Sequence, residues 1–254
     1  MNILLTNDDG IYACGLWALY DVLEKEHDIM VVAPDRERSG VSHSITLYSP
    51  LRVKKIDVAE GKTGYAVNGK PADCVKLALS ELADIRPDMV ISGINPGENA
   101  GVSLNYSGTV AAAREAALYG ISAIAVSIKG FDSYDYKGAA LFINQLVRQV
   151  NQTGLPYGTF LNVNLPEIPI SKVKGVSISR QDMTPLDEYY EKRTDPRNGG
   201  YYWLGSDKRN FKNNPESDGA VLKRQHISIT PIHCDLTDDR MLDNLKSWNF
   251  NWER

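Results

Sequence analysis

Short runs of β-branched and aliphatic residues alternate with stretches of helical period through the first half of the chain. That alternation predicts a parallel sheet covered by helices on both faces. Strands are expected at 2–6, 28–33, 88–92 and 122–127, with helices between them at 15–26, 72–82 and 108–119. Segments 51–58 and 63–67 read as two more strands, paired as a hairpin across Glu60-Gly61-Lys62.

A helix at 137–150 closes this core, and two further β runs follow at 160–164 and 174–179. Between 181 and 217 the pattern breaks. The stretch is rich in Asp, Lys, Arg, Asn, Gly and Tyr, and its only apolar island is Tyr201-Tyr202-Trp203-Leu204. It reads either as a hairpin projecting from the core, with aromatics that meet another subunit, or as a long solvated loop. A long strand at 221–232 and a terminal helix at 239–248 complete the reading, within a single α/β domain spanning 1–254.

Composition narrows the function. With 43% hydrophobic and 24% charged residues the chain has an ordinary globular make-up. A formal charge of −4 argues against a nucleic-acid surface, which needs clustered Lys and Arg. A small anionic substrate is compatible with it, because a bound cation reverses the local sign of the field. Cys14, Cys74 and Cys234 are too few and too scattered for a disulfide framework or a thiolate metal site, which points to a reducing compartment. Met1 leads straight into Ile3-Leu4-Leu5 without a basic leader, and the most apolar later window, 116–128, is too short and too interrupted to span a bilayer. A cytoplasmic protein with no membrane contact is expected.

In a parallel sheet the loops leaving the carboxyl ends of the strands line one edge, where ligands bind. Here those loops carry Asn7-Asp8-Asp9-Gly10, Pro34-Asp35-Arg36-Glu37-Arg38-Ser39-Gly40 and Gly93-Ile94-Asn95-Pro96-Gly97-Glu98-Asn99. Adjacent carboxylates repel each other, so Asp8 and Asp9 are most easily ionised together with a cation between them. Mg²⁺ or Mn²⁺ suits two carboxylates supplemented by the neutral oxygens of Ser39 and Asn95. The same Asp-Asp-Gly also serves as a plain turn followed by a helix cap.

Ser107, Gly108 and Thr109 stand at the start of an alanine-rich helix, where backbone N–H groups and hydroxyls can hold a phosphate. Ser107 as a simple cap is the bland alternative. His43 is the one histidine near the expected crevice and a candidate substrate contact, although a surface histidine without a role is the better fit. No Gly-x-Ser-x-Gly elbow, Walker loop, Gly-x-Gly-x-x-Gly or zinc-type histidine spacing is present.

Taken together, several stretches carry a resemblance. They are Ile3 to Gly10, Ala33-Pro34-Asp35 with Arg38-Ser39-Gly40, Ser42 with Ser44-Ile45-Thr46, Asn68-Gly69 with Pro71 to Val75, Ser92-Gly93-Ile94-Asn95 with Gly97 and Asn99, Tyr106 to Val110, and Ser228-Ile229-Thr230-Pro231. The chain resembles the SurE, or stationary-phase survival, proteins, a family of metal-dependent nucleoside monophosphate phosphatases.

The resemblance implies a three-layer α/β/α fold with a mostly parallel mixed sheet, Rossmann-like in its first half, and a projecting C-terminal hairpin. It implies a divalent ion, Mg²⁺ or Mn²⁺ with Ca²⁺ as a less active substitute, on the residues matching Asp8, Asp9, Ser39 and Asn95. Phosphate would lie near Ser107 to Thr109 and touch Asn95. Nucleoside 5′-monophosphates, 3′-monophosphates and short polyphosphate would be hydrolysed by metal-activated water, with Asp8 and Asp9 as the catalytic pair. A homodimer or homotetramer, with residues 233–254 exchanged between subunits, is also implied. The chain departs from the family's usual residues at Lys70 and Asp182, neither of them an expected metal ligand. From a different class, a non-catalytic nucleotide-binding or regulatory protein would use the same crevice without releasing phosphate.

Overall fold

A computed structural model describes residues 1–59, 61–130, 134–185, 188–206, 214–250 and 252. Its centre is a nine-stranded sheet in the order β3-β4-β2-β1-β5-β6-β7-β11-β8. The strands are β1 (Asn2–Thr6), β2 (Asp28–Pro34), β3 (Val53–Ala59), β4 (Lys62–Val67), β5 (Met89–Pro96), β6 (Ser122–Ile128), β7 (Thr159–Leu165), β8 (Gly175–Ile178) and β11 (His226–His233). Neighbours from β4 to β7 run parallel, whereas β3 against β4 and β11 against β7 are antiparallel. A separate antiparallel hairpin pairs β9 (Glu188–Thr194) with β10 (Gly200–Ser206).

Side-chain alternation along the central strands divides the interior into two cores. Ile3 and Leu5 face one helical layer, made by α1 (Cys14–Leu23) and α4 (Tyr136–Thr153). Leu4 faces the other, made by α2 (Pro71–Leu77) and α3 (Gly108–Leu118). In α3 the small residues Ala111, Ala112, Ala113, Ala116 and Ala117 are all buried, so the helix axis lies close to the sheet. That close seat brings its first turn against the end of β1.

Three-layer α/β/α packing, a mostly parallel mixed sheet and a separate hairpin therefore match the expectation. Two elements differ from it. The apolar run Ala220-Val221-Leu222, its last two residues expected to open a long strand, belongs to a short helix, α5 (Asp218–Lys223). All three side chains are buried, and a brief run of apolar residues has no period with which to tell a buried helix from a strand. Gln225, at φ 63°, then turns the chain so that β11 starts only at His226. The helix expected at 72–82 is α2 followed by a wider turn at Ala78–Leu82. The terminal helix α6 spans Asp239–Lys246. Glu60, 186–187, 207–213, 251 and 253–254 lie outside the described residues, so the expected turn at Glu60 and parts of the 181–217 excursion and the 233–254 segment do too.

Candidate active site

Strands β2, β1 and β5 are neighbours in the sheet, so the loops at their carboxyl ends meet. The first is closed by Asn7, whose Nδ2 donates to the Gly10 carbonyl (3.0 Å) while its Oδ1 accepts the Gly10 N–H (3.1 Å). Gly10 sits at φ 98° with the backbone of Arg36 3.0 Å from where a Cβ would stand, so a side chain there meets both strain and main chain. This clamp turns Asp8 inward and Asp9 toward the crevice.

Asp8 is only 3% exposed. The hydroxyl of Thr109 donates to its Oδ1, and the Gly108 and Thr109 amides at the start of α3 face the same carboxyl. Gly108 allows this approach, because a Cβ there would lie 2.7 Å from Asp8 Cβ. The second loop is pinned to the first by Arg38, whose N–H donates to the Asp8 carbonyl (2.7 Å). Further on, the Ser42 N–H donates to the Tyr106 carbonyl (2.9 Å) and its hydroxyl to the Asn105 carbonyl (2.7 Å), which holds the Ser39 segment over the turn at Gly101–Tyr106. In the third loop Asn95 Nδ2 donates to the Gly97 carbonyl (2.7 Å), which leaves the amide oxygen as its ligand atom. Asn99 is fixed from beneath by Asn164 and Ser127.

These loops enclose a cavity of about 370 Å³ whose wall includes Asp8, Asp9, Ser39, Asn95 and Ser107. Its electrostatics are those of an acid pair lacking a counter-charge. Burial, then the neighbouring Asp8 and Glu37 carboxylates, push the Asp9 carboxyl up to about 7. Burial also raises Asp8, against the lowering effect of the bonds from Thr109 and Gly108. Asp9 Oδ2 is buried with no hydrogen-bond partner among the described residues, and such an atom is costly unless something else contacts it. Two carboxylates, a hydroxyl and an amide carbonyl form an all-oxygen donor set, which fits a hard divalent cation. Among the described residues no group of three or more His, Cys, Asp or Glu gathers to hold a metal, so an ion here depends on the neutral oxygens as well.

The sequence matches the Survival protein SurE family over residues 3–188. The 5′-nucleotidase SurE of Desulfatibacillum aliphaticivorans is 52% identical over 98% of both chains. That of Syntrophobacter fumaroxidans is 48% identical over 98% of this chain and all of its own. Among solved structures, the SurE protein from Aquifex aeolicus superposes with a TM-score of 0.85 at 36% identity, covering 97% of this chain and 98% of that one. This chain belongs to the SurE family.

Within this SurE chain, the four expected ligand residues and Ser107 share one cavity, but Gly108, Thr109 and His43 are not part of its wall. Ser107 Oγ accepts the Val110 N–H (3.2 Å), so it caps α3 as well as facing the crevice. Thr109 is fully buried, and its hydroxyl donates to Asp8. His43 Nε2 lies 2.6 Å from Glu115 Oε2, and Lys76 holds the other oxygen of that carboxylate at 3.1 Å. This ring nitrogen is thus turned to Glu115 and not to the cavity.

Sequence reasoning gave no role to Glu37, although it lines the cavity and accepts the Ser39 hydroxyl (2.7 Å). Its position two residues before Ser39 in a strand-end loop was the available signal. Ser103 and Tyr106 also line the wall, on a turn whose position depends on contacts distant in sequence.

Proposed function

We propose that this SurE chain hydrolyses nucleoside 5′-monophosphates, and 3′-monophosphates and short polyphosphate as secondary substrates, with Mg²⁺ or Mn²⁺ held by Asp8, Asp9, Ser39 and Asn95. The observation that carries the reading is the buried, unpartnered Asp9 Oδ2 beside a second buried carboxyl, in an oxygen-lined cavity at the strand ends. The names of the relatives supply the substrate class.

A divalent cation bound there supplies Lewis-acid activation of water and offsets charge on the phosphoryl group. The chain's own residues do the rest. Thr109 and the first turn of α3 hold Asp8 in one orientation, and the Asn7–Gly10 clamp does the same for the segment carrying Asp9. Asn95 and the Ser107 hydroxyl stand where they can orient the phosphoryl oxygens. Glu37 holds Ser39 and adds negative charge that favours the cation.

The assembly reading follows from surface chemistry. Helix α6 has no buried residue: Leu242 and Leu245 on it, and Trp248 and Phe250 beyond it, are exposed. The hairpin likewise exposes Tyr190, Tyr202 and Trp203. Exposed aromatic and aliphatic side chains concentrated on two elements suit an interface, which supports a homodimer or homotetramer with the 233–254 segment exchanged and the hairpin in contact with another subunit. No helix among the described residues is long and apolar enough to cross a membrane, which is compatible with the cytoplasmic setting proposed from the cysteine content.

Phosphate release from a panel of 5′- and 3′-mononucleotides and tripolyphosphate, with Mg²⁺, Mn²⁺ or Ca²⁺ and with EDTA, tests the reading. Release from 5′-mononucleotides that EDTA abolishes is expected. Nucleotide binding without any release would instead favour a regulatory protein.

A further inference from the structure

A second cavity, of about 480 Å³, opens between α3, the end of β8 and β11. Its wall carries Arg114, Arg180, His233, Ser179, Gln181 and Asn105, and no carboxylate. In a chain with a formal charge of −4, that is a local reversal of sign.

The basic groups are also left over after the neighbouring acids are accounted for. Glu115, next to Arg114 in sequence, is engaged by His43 at 2.6 Å and Lys76 at 3.1 Å. Asp235 accepts the Thr237 N–H (2.9 Å), and Asp218 accepts the Gly101 (2.7 Å), Asp182 (3.2 Å) and Gly219 (2.8 Å) amides. Neither Arg114 nor Arg180 has an ion-pair partner among the described residues. Arg114 Nε is buried and has no hydrogen-bond partner among them either. Two guanidinium groups on one cavity wall, supplemented by a histidine and amide donors, suit a compact, multiply charged oxyanion, because the planar fork matches phosphate oxygens in pairs.

We propose that this cavity is a second, non-catalytic site for a phosphate-bearing anion. It is separate from the Asp8 and Asp9 cavity but shares a wall element with it. Gln181 Nε2 donates to the Gly101 carbonyl (3.0 Å), and Asn105 is itself part of the Gly101–Tyr106 turn, whose Ser103 and Tyr106 line the first cavity. An anion held here sits behind the active-site wall, a position suited to sensing the released phosphate or a nucleotide.

Calorimetric titration of the full-length Asp9→Asn protein with inorganic phosphate, and separately with AMP, tests the proposal without relying on catalysis. Phosphate is expected to bind this variant, and adding Arg180→Gln or Arg114→Gln is expected to weaken that binding at least tenfold, with Arg180→Lys keeping part of it. Equal binding of phosphate and AMP, weakened alike by the arginine substitutions, identifies the phosphate group as the ligand and supports the proposal, whereas binding of AMP alone overturns it. Arg180→Gln in the otherwise native chain is expected to leave kcat/KM for AMP within twofold, which also shows that it folds. Loss of all phosphate binding on Asp9→Asn alone, or binding indifferent to both arginine substitutions, overturns it.

Discussion

The hydroxyl of Thr109 donates to Oδ1 of Asp8 although 101 positions separate them in sequence. The helix start that sequence reasoning assigns to phosphate thus holds a metal-ligand candidate first. A hydrogen-bond donor behind a ligating carboxylate fixes its orientation, and loss of such a partner ordinarily costs about 10- to 100-fold in metal affinity or activity. Thr109→Val keeps the shape and removes the donor. A drop of about that size in Mn²⁺ affinity, measured by calorimetry, is expected, with Thr109→Ser restoring most of it.

Gly108→Ala tests the closeness of α3 to β1. The new Cβ would come within 2.7 Å of Asp8 Cβ and 2.9 Å of its Oδ2. Asp8 is buried and its carboxyl is held by Thr109, so a loss of about 1 to 3 kcal/mol in stability is expected by analogy with overpacked cores. Thermal unfolding reads the stability, and phosphate release should fall with it because Asp8 is displaced.

Metal-free protein should show a pH signature. The folded Asp9 carboxyl is pushed up to about 7 from an ordinary 3.8, so its neutral form is favoured by the fold. Stability from this group is full below about pH 4 and lost as pH rises through 7, where the ionised form predominates. Asn imitates the neutral form. Each pKa unit corresponds to about 1.4 kcal/mol, and 1 kcal/mol moves Tm by roughly 2 to 4 °C in a chain of this size. In EDTA at pH 8, Asp9→Asn should therefore melt at least about 3 °C above the parent, and the difference should vanish near pH 4. Added Mn²⁺ should raise the Tm of the parent only.

His43 and Glu115 give the opposite sign. Burial works to raise the Glu115 carboxyl, but the bonds from His43 and Lys76 outweigh it and hold it below its ordinary value. Its stabilising contribution is present at neutral pH and is lost as acid takes the pH down through the lowered folded value. Glu115→Gln should cost about 1 to 3 kcal/mol at pH 7 and much less near pH 3, as followed by denaturant unfolding. Because His43 faces Glu115, His43→Ala should change kcat for AMP by less than about threefold.

The parallel half of the fold is legible in the sequence because its strands carry short apolar runs, such as Ile3-Leu4-Leu5 in β1 and Met89-Val90-Ile91 in β5, between helices of clear period. That Asp8, Asp9, Ser39 and Asn95 share one cavity is legible for a related reason, since each lies at or just beyond the carboxyl end of a strand and parallel topology brings strand ends together. The bond from Thr109 to Asp8 is not legible, because it depends on how deeply α3 sits, which follows from the buried alanines and is not a local property. The same holds for His43, whose partner lies 72 positions away. Helix α5 is missed because Ala220-Val221-Leu222 is buried on every side and so carries no amphipathic signal.

The most direct test is a Mn²⁺ soak of crystals of the full-length protein, with anomalous differences collected at the manganese edge. One strong peak in contact with the carboxylates of Asp8 and Asp9, with Ser39 and Asn95 oxygens completing its protein ligands, is the expected result. A map with no peak at the acid pair, from a protein that nonetheless releases phosphate in Mn²⁺, would contradict the proposed metal site.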